Sequence, residues 1–271
     1  MPGELEMKRS IVLRGSLSFS KRPNFYAQNV IDSIRSWYDD ELIVSTWHDQ
    51  EKSARQLYGI DKIVLSTDPQ PGPVQQMQRQ LDSYYAGVHS SSGEQILVTR
   101  TDIMHFNNLF NYIGSFKDKT KEDLSCFSEK LIIGNIMSIN PESNEQLKTF
   151  RVCDWFQCGP RTDIERWCSI VEDLAMISRQ ELQTYWDMGQ ICTEKLWFCL
   201  VLNKYSKYKI DWRNTEPFDH LAWHAIIDNF MILDQISTAQ SINLNWSFQP
   251  QRLNCYVIEE DYIKKAREIC A

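Results

Sequence analysis

Four short apolar runs recur in the N-terminal part of the chain: Ile11-Val12-Leu13, Leu42-Ile43-Val44, Ile63-Val64-Leu65 and Ile96-Leu97-Val98. None alternates with polar residues. A strand with one wet face alternates, whereas a strand covered on both faces reads as a continuous run. Runs this short, bounded by Gly, Pro or charged residues, predict buried strands. Between them lie two stretches of helical spacing. Residues 25–38 carry Phe25, Val30, Ile31, Ile34 and Trp37, with Asn24 as a candidate cap. Residues 74–90 carry Met77, Leu81, Tyr84, Tyr85 and Val88, after the Pro/Gly loop Asp68–Pro73. The order strand, helix, strand, strand, helix, strand predicts a wound, mostly parallel α/β sheet.

Further along, Lys117–Ser125 reads as an exposed polar loop or short helix, 130–134 as a strand, and 140–146 as a loop. Residues 149–158 read as a strand ending at Gly159-Pro160. Helical patterns then fill 161–174, 179–187, 193–205 and 217–233, with a short amphipathic helix over 261–271. The shift near residue 160 marks a change from sheet to helices. It divides the chain into 1–170, the sheet-bearing part, and 171–271, a helical C-terminal part of the same domain.

Charge and length exclude several classes. The 271 residues are 42% hydrophobic and 24% charged, with a net charge of −7. A chain this long buries a core without staples. No basic run exceeds two residues, which excludes the basic face a duplex nucleic-acid binder needs. No apolar run approaches the roughly 20 residues that span a bilayer. Met1–Met7 carries two acids and does not read as a secretory signal. The eight cysteines form no C-x-x-C pair, so they are expected to be reduced thiols of a cytoplasmic protein.

Several polar groups sit where ligands gather. Arg100-Thr101-Asp102 lies at the carboxyl end of a predicted strand, where open α/β sheets bind ligands. An Asp there holds a metal–diphosphate and an Arg pairs phosphate, or the three form a structural turn. Ser45-Thr46-Trp47 ends another strand; a Trp there stacks on a base or packs beside a turn. Arg79 lies on the polar face of the Gln-rich helix start, suited to an anion or simply solvated. Cys153-Asp154-Trp155-Phe156 places a carboxylate among apolar residues, as a general base or a core Asp bonded to backbone. His220 and His224, at i and i+4, have zinc spacing, but Leu221 follows His220 and no third ligand is evident. P-loop, G-x-G-x-x-G and G-x-S-x-G motifs are missing.

Taken in order, Ile11–Gly15, Ile43–Trp47, Asp61–Val64 with Asp68-Pro69, Gln78–Leu81, Leu97–Asp102 and Asp154–Gly159 resemble the WavE-type lipopolysaccharide synthesis family. The resemblance covers about residues 10–170; beyond it only Thr193-Glu194, an acidic helix start, matches. It implies a GT-A-like fold and a glycosyltransferase of bacterial surface glycans (lipopolysaccharide core, O-antigen or capsule). The donor would be a nucleotide sugar and the acceptor a glycan or lipid-linked glycan, with a peripheral membrane contact following from the lipid. Gly15, Thr46, Trp47, Arg79, Arg100 and Asp102 are the expected nucleotide-side residues. Asp102 is the expected ligand of a divalent cation, Mn²⁺ or Mg²⁺, although Arg100 stands where a D-x-D motif has its first acid. Asp154 is the expected base and Glu194 a second candidate. Two alternatives use similar residues: a sugar-phosphate or alditol-phosphate transferase, and a non-catalytic carbohydrate-binding module built on the nine Trp, eleven Tyr and twelve Phe.

Overall fold

The computed structural model describes residues 7–17, 27–68, 73–135, 138, 141, 149–233, 240–242 and 259–270. In chain order the first half comprises β1 (Arg9–Arg14), α1 (Ala27–Arg35), β2 (Glu41–Trp47), α2 (Glu51–Ala54), β3 (Lys62–Ser66), α3 (Pro73–Ser90) and β4 (Gln95–Arg100). Then come β5 (Ile103–His105), β6 (Leu131–Gly134), β7 (Phe156–Pro160), α4 (Arg161–Cys168), α5 (Val171–Ala175), α6 (Arg179–Asp187) and α7 (Thr193–Tyr205). The described chain ends with α8 (Ala222–Asn229), β8 (Phe230–Leu233), β9 (Gln240–Ile242) and α9 (Glu259–Cys270).

Seven strands form one sheet in the order β3-β2-β1-β4-β7-β6-β8. The pairs β1–β2, β1–β4, β2–β3 and β6–β8 are parallel. β7 runs antiparallel to both its neighbours, β4 and β6. Six strands therefore run one way and one runs against them. β5 and β9 make a separate antiparallel pair.

Successive side chains of a strand point to opposite faces. Ile11, Leu13, Leu42, Val44 and Leu97 pack with Val30, Ile31 and Ile34 of α1. Val12, Ile43, Ile96 and Val98 pack with Met77, Leu81, Tyr84 and Val88 of α3 and with α7. This two-sided burial is why these strands read as unbroken apolar runs. α7 is itself buried over Thr193–Leu202, with Trp197 stacked on Trp167 at 5.5 Å between ring centroids. Gly87 lets α3 lie close on the sheet: a Cβ there would stand 2.4 Å from Val12 Cγ1 and 3.0 Å from Ser45 Cβ.

Three expected elements differ. Residues 149–155 are not strand; the ladder begins at Phe156, and Phe150 takes a left-handed turn (φ 68°). Arg151 and Asp154 are buried there, and their side chains and backbone bond to other elements. The helix expected over 217–233 is a 3₁₀ turn (Glu216–Leu221), α8, and then strand β8. Asp228 and Asn229 end α8 by accepting from the backbone N–H groups of Thr120, Leu124 and Cys126 at 2.6–2.7 Å, after which Phe230–Leu233 joins the sheet. The helix expected over 161–174 breaks between α4 and α5. The cap Asn24, the loop residues 69–72 and Cys255 lie outside the described residues. The seven described cysteines are free thiols. Among the described residues no helix is long and apolar enough to cross a membrane.

Candidate active site

The carboxyl ends of β1 and β4 lie side by side, with Arg14 and Arg100 as register partners at the last position of each strand. Equal parity along parallel strands sends both side chains to the face covered by α3 and α7. Because β7 runs the other way, the residues before it reach the same rim, and they bring Asp154. Glu194, in the first turn of α7, completes the group. The charge of Asp154 acts on Arg14, on Arg100 and on Glu194. Three of the expected site residues, Arg100, Asp154 and Glu194, are thus drawn together, with Asp102 beside Arg100.

Arg14 was not singled out from sequence and is the deepest of the set, with 2% of its side chain exposed. It donates to the Asp154 backbone carbonyl, and its Nη2 stands 3.9 Å from Asp154 Oδ2. Its Nε makes no hydrogen bond, and neither does Asp154 Oδ1. Tyr84 of α3 offers its ring 5.4 Å from the guanidinium. Burial lowers the Arg14 pKa; Asp154 opposes this, and Arg100 adds to it. Arg100 donates Nε and Nη2 to the two oxygens of Asp102, at 2.8 and 2.7 Å. Burial works against its charge, but Asp102, by charge and hydrogen bond, carries the Arg100 pKa upward. Trp155 lies 5.7 Å from the same guanidinium.

Glu194 accepts from Arg151 Nη2 at 3.2 Å. Burial pushes its pKa up, Asp154 pushes it further, and Arg151 pulls it back. The charge of Asp154 thus disfavours the charged form of the buried Glu194 carboxyl.

The remaining expected residues stand at nearby strand ends. Gly15 has φ of 116°, a conformation that favours glycine, and its N–H donates to Ser45 O at 3.1 Å. Thr46 faces the opposite side of the sheet and donates to Gln50 Oε1 at 3.3 Å, which also accepts from Leu17 N. Trp47 carries the Arg79 guanidinium 4.1 Å from its ring centre, and Arg79 pairs with Asp68 at 3.0 Å. The Trp47–Arg79–Asp68 group is a second cluster beside the first.

The residues do not fit a divalent cation at Asp102. Both carboxylate oxygens are engaged by one guanidinium, so a bound ion would sit against a fixed positive charge. Mn²⁺ and Mg²⁺ sites use carboxylates turned towards the metal. Among the described residues no group of three or more His, Cys, Asp and Glu side chains converges, at Asp102 or at His220 and His224.

The family model described as WavE lipopolysaccharide synthesis matches residues 10–245. No curated protein matches the chain in sequence. Among solved structures, a galactosyltransferase, LgtC, in complex with donor and acceptor sugar analogs, is 10% identical over 97% of this chain and 96% of its own, at a TM-score of 0.45. The glycosyltransferase GlyE of Streptococcus pneumoniae is 11% identical over 74% of this chain and 44% of its own, at 0.41. Glucosyl-3-phosphoglycerate synthase of Mycobacterium tuberculosis, in complex with Mn²⁺, UDP and phosphoglyceric acid, is 13% identical over 68% and 66%, at 0.38. At these scores the likenesses carry no argument about chemistry.

Proposed function

The chain belongs to the WavE lipopolysaccharide synthesis family, and from that premise we propose that it is a glycosyltransferase that moves a sugar from a nucleotide sugar to a hydroxyl of a growing surface glycan. The observation that carries this reading is the meeting of two kinds of group at one rim. Arginines from the strand ends suit the diphosphate of a donor. A buried carboxyl pair suits the proton of an acceptor hydroxyl.

In this reading residues 1–170 supply the donor side. Trp47 and Arg79 line the nucleotide, Gly15 allows its close approach, and Thr46 steadies the β2 end through Gln50. Asp102 holds Arg100 in position. Residues 171–271 supply packing and the acceptor side. Asp154 and Glu194 share the work of the base, taking up the acceptor proton. Lys195, next to Glu194, lines a polar cleft of about 490 Å³ with Gln190, Arg213, Thr215 and Asp219. Such a cleft offers hydrogen bonds to sugar hydroxyls. A lipid-linked acceptor would bring the protein to a membrane face.

The test is thermal unfolding with UDP, GDP, CDP and CMP in turn, followed by transfer assays with the corresponding donor sugars. A nucleotide at 100 times its Kd stabilises by about 2.7 kcal/mol. If no nucleotide raises the melting temperature at millimolar concentration, the transferase reading fails.

A further inference from the structure

We infer that Arg14 and Arg100 together bind the diphosphate of the donor, so that two guanidinium groups, and not a divalent cation, take up the charge of the leaving group. The inference rests on the transferase reading above.

The register is the first ground. Arg14 and Arg100 are Cα partners on adjacent parallel strands, each at the last position of its strand. Neighbouring strands lie about 4.8 Å apart. The charge of Arg100 works against that of Arg14, and an anion between the two guanidinium groups removes the repulsion.

Unused donors are the second ground. A guanidinium has five N–H groups. Arg14 is almost wholly buried, yet its Nε has no partner and its nearest carboxylate oxygen is 3.9 Å from Nη2. A buried, half-partnered cation is costly and is kept only where something else completes it. Arg100 gives Nε and Nη2 to Asp102, while a quarter of its side chain stays open to solvent. Its free edge therefore lies on the accessible side.

Asp102 supplies the third ground. The one acid at the β4 end is spent on fixing Arg100, which leaves it poorly placed to hold a metal. It makes Arg100 a preorganised fork for phosphate oxygens.

In the transfer, the bond from the anomeric carbon to the terminal phosphate oxygen breaks, and its electron pair stays on that oxygen. The acceptor oxygen forms the new bond to the anomeric carbon. The acceptor proton passes to the Asp154–Glu194 pair. The guanidinium groups exchange no proton and lie against the diphosphate as its charge grows.

The experiment is calorimetric titration of the full chain with UDP, GDP and CDP, first in excess EDTA and then in saturating Mn²⁺, with the matching nucleosides as controls. One nucleoside diphosphate is expected to bind in EDTA, with Mn²⁺ changing its Kd by less than about threefold, under 1 kcal/mol. Arg100→Gln and Arg14→Gln are each expected to weaken the diphosphate about tenfold or more while leaving the nucleoside unchanged; Arg14→Lys serves if Arg14→Gln does not fold. Binding that appears only with Mn²⁺, or variants that bind the diphosphate as wild type does, would overturn the two-arginine site and leave the transferase reading standing. Absence of binding under both conditions would overturn the two-arginine site, and the transferase reading with it if CMP fails to bind as well.

Discussion

Arg151 donates through Nη2 to Glu194 Oε1 across 3.2 Å, and each side chain keeps one-tenth of its surface in solvent. The bond ties the irregular segment before β7 to the first turn of α7. It also holds Glu194 close to the charge of Asp154.

Glu194 should shape the pH profile of stability. Its pKa is raised in the folded protein, by burial first and by Asp154 second. A carboxyl raised on folding binds its proton more tightly in the native state. Its stabilisation is complete below the ordinary value of 4.5 and is lost as pH rises through the folded value. Urea unfolding across this range should show stability declining in the wild type and a shallower decline in Glu194→Gln. Equal slopes would mean that the proton is not held.

Asp154 and Arg14 should be energetically coupled. Removing one member of a buried ion pair costs about 3–5 kcal/mol, because the other charge is left without compensation. Asp154→Asn is therefore expected to destabilise strongly, and Arg14→Met combined with Asp154→Asn to lose less than the sum of the two. A double-mutant cycle by denaturant unfolding reads this directly. Additivity within about 0.5 kcal/mol would show independent side chains. On the folded fraction, Asp154→Asn should also lower transfer by about 10²–10⁴.

His105 should set an acid limit. It is fully buried on β5, with Nε2 2.7 Å from Thr99 Oγ1 and its ring edge-on to Phe156. Burial pushes its pKa down from 6.5 to about 3. The unfolded chain takes up that proton first, so stability falls as pH drops from 6.5 towards 3. His105→Gln should flatten this part of the profile in a thermal-unfolding series. A wild-type slope in the variant would assign the acid limb to other groups.

Gly87→Ala should loosen α3 from the sheet. The added methyl meets the Val12 side chain at 2.4 Å with α3 already in contact. Overpacking of this kind costs about 1–3 kcal/mol. Since Arg79 and Tyr84 ride on α3, nucleotide affinity should fall together with the melting temperature. Unchanged stability would show that the helix shifts freely.

The parallel strands β1–β4 were legible because burial on both faces leaves an unbroken apolar run. Phe230-Met231-Ile232-Leu233 carries the same signal, but it follows helical spacing without a Gly or Pro to separate them. What ends α8 is the pairing of Asp228 and Asn229 with a loop more than 100 residues away, and no local pattern reports that. Residues 149–155 have strand-forming side chains, yet Arg151 and Asp154 find their partners off the ladder. At the site, Arg100, Asp102 and Asp154 could be singled out by position and type, and Glu194 through the family resemblance. Arg14 could not. Its significance depends on β4 being the neighbour of β1, a pairing across more than 80 residues that only the folded sheet defines.

The reversed strand has an evolutionary reading. Arg14 and Arg100 stand on the outgoing ends of strands that also build the core, so changing their placement means changing the sheet. Asp154 reaches the rim on an irregular stretch whose backbone answers to no ladder. The side chains at the strand ends are thereby locked to the scaffold through the ladder, whereas the stretch bearing Arg151 and Asp154 is held through the side-chain partners of those two residues. Relatives would be expected to vary in backbone path over residues 149–155 while keeping Arg151 and Asp154, and to vary least in backbone path at the outgoing strand ends.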